Sequence, residues 1–163
     1  MTNFQKHKLS RGQSLVEVVV ALGISILMIS GIVVGVNTSM RTVRENRARS
    51  AADKLIQDAL EIARKDRDSN WIVFRAQEAK WLCLNDNSTT FFGLVDQSSQ
   101  ANARSNCINI ATTPGVSFIR YAHFEWVTVS STEGMRVTVY VDWLKDTANW
   151  NSVSTSTFLT DWK

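Results

Sequence analysis

Apolar residues fall along this chain in three rhythms. From Val18 to Val36 they are nearly continuous, 19 residues without a charge, with Ser25 and Ser30 as the only polar side chains. From Met40 to Arg67 they recur every three or four positions: Ala48, Ala51, Ala52, Leu55, Ile56, Ala59, Leu60, Ile62 and Ala63, while Arg49, Asp53, Lys54, Gln57, Asp58, Glu61 and Arg64 occupy the intervening faces. Beyond Val116 they alternate. The first rhythm predicts an apolar helix, the second an amphipathic helix and the third β-strands.

Nineteen helical residues cover about 28 Å, close to the hydrocarbon thickness of a bilayer. The amphipathic stretch follows without a proline, so both read as one helix of about 50 residues. Asp68 to Pro114 reads as irregular, with Arg67-Asp68-Ser69-Asn70-Trp71 ending the helix. Strands are predicted over Val116–Val129, Met135–Leu144 and Ser152–Leu159, separated by turn chemistry at Ser130–Gly134 and Lys145–Asn151. The expected fold is α+β, a long N-terminal helix whose amphipathic half packs on a C-terminal antiparallel meander.

Glu17 stands at the start of the apolar run, just after Leu15 and Val16. A carboxylate is costly to place in lipid and needs a cationic partner there. The residues before it are basic, Lys6, His7, Lys8 and Arg11, and close on Gly12. The phrase Arg11-Gly12-Gln13-Ser14-Leu15-Val16-Glu17-Val18-Val19-Val20-Ala21-Leu22 resembles the class III leader and N-terminal helix of type IV pilins and type II secretion pseudopilins. The resemblance is specific from Lys6 to about Val36 and fades in the remainder.

It implies that a prepilin peptidase cuts after Gly12 and N-methylates Gln13, and that Glu17 then meets the N-terminal amine of a neighbouring subunit in a filament. Gln13 departs from the pattern, which usually has an aromatic residue or methionine there. The helix also lacks proline, since Pro114 is the only one in the chain. Residues 1–12 would be a leader, 13–40 a transmembrane and assembly helix, 41–68 its amphipathic half and 69–163 a globular head. The implied partners are the peptidase, other pilin subunits, an inner-membrane assembly platform and membrane lipid. The N-terminus would be cytoplasmic and the head exported, finally in an extracellular or periplasmic filament. Counting charges alone does not orient the helix, because Arg41, Arg44, Arg47 and Arg49 balance the basic leader.

Three other readings of the apolar run compete. A secretory signal has a shorter apolar core, about 7–15 residues, and a small-residue cleavage motif, and nothing of that kind follows Val36. A plain single-pass anchor fits the length, and with it a surface binding module for glycan or DNA that never polymerises. A buried helix of a soluble domain needs fewer apolar residues.

The formal charge of +3 comes from Lys6, Lys8 and Arg11, and without the first 12 residues the chain has 15 basic and 15 acidic residues. Residues 69–163 hold seven basic and eight acidic ones, so the head carries no electrostatic signal for nucleic acid, although all six tryptophans lie there. Trp126 and Trp143 fall on strand patterns and read as core, while Trp150 and Trp162 read as freer. Cys83 and Cys107 lie in the part expected outside the cytoplasm, where a disulfide is the natural reading and two unpaired thiols the alternative. One histidine, His123, remains after the leader, so no metal site and no cofactor is implied. His123 lies alone on a strand pattern, the serines are scattered without a nucleophile-elbow context, no glycine-rich phosphate loop stands out, and no enzyme is expected. Gly31 and Gly35 form a GxxxG spacing, which lets two helix backbones approach in lipid.

Overall fold

The structure, a computed structural model, describes residues 11–107, 110–113, 116–144 and 149–161. Residues 1–10 of the expected leader, together with Pro114 and Trp162, lie outside the described residues. The order of elements is α1 (Arg11–Ser69), α2 (Trp71–Arg75), β1 (Trp81–Leu84), α3 (Gln100–Asn106), β2 (Ile110–Thr113), β3 (Val116–Val129), β4 (Thr132–Leu144) and β5 (Trp150–Leu159). Two compact units divide between Glu45 and Asn46.

In the second unit, the alanine and leucine face of α1 lies on an antiparallel sheet of order β1-β3-β4-β5, with β2 also paired to β3. Ala52, Ala59 and Ala63 are fully buried. Their small side chains let the helix sit close to the inner sheet residues Ala122, Phe124, Val137, Val139 and Val141, all buried as well. The α+β expectation therefore holds, with the meander formed by β3, β4 and β5.

α1 ends where Asn70 turns to extended backbone and its side chain accepts a hydrogen bond from Val73 N at 3.1 Å, capping α2. Just before that end, the buried Asp66 accepts a hydrogen bond from Phe91 N and ties the following loop back to the helix. The stretch expected to be irregular contains α2, β1, α3 and β2. Their sequences carry little period: β1 is four residues long, and within α3 only Ala103 is buried. Their positions come from β3, which pairs with β1 over Arg120–His123, and from a disulfide between Cys83 of β1 and Cys107 at the end of α3.

β4 begins three residues earlier than its alternation predicts. The connection from β3 is only Ser130–Ser131, both at positive φ (49° and 69°), so Val129 pairs directly with Thr132. That is the backbone of a tight two-residue hairpin, which matches the twist of the strands on either side.

Candidate functional site

The site is built from the first unit, where α1 runs through the uncharged stretch with its side chains exposed among the described residues. Its large apolar side chains from Leu15 to Val36 are between 49 and 74 % exposed. The most apolar 18-residue window has a mean hydropathy of 2.6 and no buried residue. One helix is thus long and apolar enough to cross a membrane. Leaving such a surface in water would be costly, at about 25 cal/mol for each Å² of apolar area.

Hydroxyl groups within the stretch and just after it bond back to their own helix. Ser25 Oγ donates to Ala21 O at 2.8 Å, Ser30 Oγ to Ile26 O at 2.8 Å and Thr38 Oγ1 to Val34 O at 3.0 Å. Each hydroxyl is satisfied inside its own helix, which is what an apolar surrounding would require of it. Glu17 has no such recourse. It is exposed and has no hydrogen bond or ion pair among the described residues. Gly12 and Gln13 fall within α1, five and four residues before it, and nothing is described of their side chains. Gly31 and Gly35 both open onto empty space, so a second backbone has room to approach there. Arg41, Arg44, Arg47 and Arg49 follow, all exposed.

In the second unit, a polar cluster sits on the sheet face that α3 covers. Asp142 is fully buried, and its Oδ2 accepts from Arg104 Nε at 2.6 Å and from the Tyr121 hydroxyl at 2.8 Å. That hydrogen bond to Asp142 raises the Arg104 pKa above its ordinary value. Burial pushes the Tyr121 phenol up to about 12. On the opposite face, Arg120 is buried against α1 and donates to Leu55 O at 3.2 Å and to Asn85 O at 3.0 Å, and its burial lowers its pKa. Nothing in the sequence signals either arrangement, since Asp142 and Arg104 are 38 positions apart.

Beside Arg104 lies a groove of about 450 Å³ lined by Arg104, Ser105, Cys107, Ser117, Leu144 and Trp150. Trp150 is 38 % exposed, with the Arg104 guanidinium 5.8 Å from its ring centre. Of the two tryptophans expected in the core, Trp143 is buried, whereas Trp126 is half-buried, packed against the core with the Arg75 guanidinium over its ring. His123 stacks on Trp81 with ring centres 4.2 Å apart, and burial holds its pKa below the ordinary imidazole value. The cysteines form a disulfide, with Cα atoms 5.3 Å apart. No family model, no curated protein and no solved structure matches this chain.

Proposed function

We propose that this chain is a structural subunit, a minor pilin or pseudopilin, of a type IV pilus-like filament. It is made as a membrane-anchored precursor with its N-terminus in the cytoplasm, cut by a prepilin peptidase between Gly12 and Gln13, and N-methylated at Gln13. The observation that carries this reading is an apolar helix surface, exposed from Leu15 to Val36, with one carboxylate near its start that has no partner among the described residues.

The helix serves two successive surroundings. Lipid covers it first, and neighbouring helices cover it after extraction from the membrane, at little cost in apolar area because both coverings are apolar. What separates the two states is Glu17. In lipid its charge lacks a partner, and in the filament the free amine of an adjacent subunit supplies one. The amine and carboxylate meet at one axial offset only, which fixes the register between subunits.

Glu17→Gln keeps the shape and the apolar stretch and removes the charge. Membrane retention of this variant is expected to match that of the parent, while its recovery in sheared filaments falls at least tenfold. Equal incorporation of the two would end this reading.

A second reading, a surface binding module anchored by the helix without polymerising, draws support from the groove beside Trp150. Its stacking ring and polar rim suit a sugar better than an acidic polymer, because Asp142 already neutralises Arg104. In that case Glu17→Gln would leave binding unchanged, and residues 1–12 would stay on the protein.

A further inference from the structure

β5 is the end strand of the sheet path, and among the described residues no strand pairs with its outer side. An open strand edge presents a row of unpaired N–H and C=O groups, and folded proteins normally blunt such edges with charge, proline, a bulge or brevity. β5 has none of these. It is ten residues long, Trp-Asn-Ser-Val-Ser-Thr-Ser-Thr-Phe-Leu, without a charge or a proline. Its register to β4 is unbroken from Leu144↔Trp150 to Met135↔Leu159.

The strand also repeats similar side chains on either side of Ser154, with one identical pair, Ser152 and Ser156. Trp150 mirrors Phe158, Asn151 mirrors Thr157, Ser152 mirrors Ser156 and Val153 mirrors Thr155. In an antiparallel pair of two such strands related by a two-fold axis at Ser154, each mirrored pair becomes a cross-strand pair. Aromatic meets aromatic at both ends, hydroxyl meets hydroxyl along one face, and Val meets Thr along the other. Such pairs are the favourable unit of sheet formation, and no like charges oppose one another. Ser152, Ser154 and Ser156 are all exposed, so no side chain must be uncovered first.

We propose that β5 is a homodimer interface: two copies of this chain join edge to edge, β5 antiparallel to β5, into one sheet continuous across both. The occupant is a second copy because the strand complements itself residue by residue, which an isologous contact demands. Trp150 and Phe158 are the anchors, and the serine row between them sets the register. This contact is independent of whether the subunit enters a filament.

The test is cysteine cross-linking of the full chain in detergent micelles under mild oxidation, with the native disulfide retained. At the two-fold axis the two Ser154 Cα atoms stand about 4.5–5.5 Å apart, within the span that a disulfide bridges, so Ser154→Cys is expected to give a disulfide-linked dimer. Ser152→Cys and Ser156→Cys should each stay monomeric alone, because their copies lie about 14 Å apart, but cross-link when mixed with one another. Ser154→Lys places two like charges face to face and should abolish the dimer in sedimentation, with an unchanged circular dichroism spectrum. A folded Ser154→Cys protein that does not cross-link overturns the proposal, and so does equal cross-linking of all three single variants. A dimer that survives Ser154→Lys also overturns it, since the contact would then lie elsewhere.

Discussion

Asp142 shows what one buried carboxylate asks of its surroundings. Taking that charge out of water is costly, and the cost is offset here by two donors on one oxygen, Arg104 and the Tyr121 hydroxyl. The hydroxyl can serve only while it keeps its proton. Tyr121 holds it to about pH 12, whereas an unfolded tyrosine releases it near pH 10. Between those values the unfolded chain binds fewer protons than the native one, so stability falls as pH rises. The contribution is complete below about pH 10 and is lost as pH passes about 12. Urea midpoints measured from pH 8 to pH 12 are expected to fall steeply above pH 10, and the Tyr121→Phe protein should show a shallower decline. Parallel curves for the two proteins would contradict this role.

At the scale of elements, β5 leaves no room for a side chain at one position of β4, Gly134. A Cβ on Gly134 would stand 2.7 Å from Leu159 O and 2.7 Å from the Phe158 ring. The carbonyl is backbone within a paired strand and cannot move away alone. Gly134→Ala is therefore expected to destabilise the protein by about 1–3 kcal/mol, read from chemical denaturation, and an unchanged midpoint would show that the strands have slack.

The elements that sequence reveals are the ones with a sustained period. The Ala48 to Ala63 face of α1, the full extent of β3 and the alternation from Met135 are all plain, because burial on one side imposes a rhythm. β4's first residues are hidden, since Thr132, Glu133 and Gly134 look like loop. β1, β2 and α3 are hidden for another reason: their places are set by partners far along the chain, as in Trp81↔His123 or Cys83 to Cys107. Glu17 was legible because a charge contrasts with an apolar run. The Asp142 cluster was not, because a strand alternates polar and apolar residues whether or not the polar ones are buried.

Considered as a whole, the chain uses its two units for different ends. The unit from Asn46 onward packs around a core of its own, with a sheet, the inner face of α1 and one covalent tie. That tie spans 24 positions and joins β1 to α3. Closing a loop of that length stabilises the fold by roughly 3 kcal/mol. Reduction of the Cys83–Cys107 bond should lower the urea midpoint accordingly, and α3, which carries Arg104, should exchange its amide protons sooner than the rest. Equal midpoints with and without reductant would contradict that ledger. The unit up to Glu45 has no such internal support, and its exposed apolar helix calls for covering by lipid or by other helices.

The proposal that the helix moves from one covering to the other depends on a free amine made at Gln13, four residues before Glu17. The most direct measurement is the mass of the N-terminal peptide of the protein recovered from cell-surface filaments. A peptide beginning at Gln13 and carrying one N-methyl group is the predicted result. A peptide that still contains Met1 to Gly12, or a Gln13 closed to pyroglutamate with no amine to offer Glu17, would contradict the account.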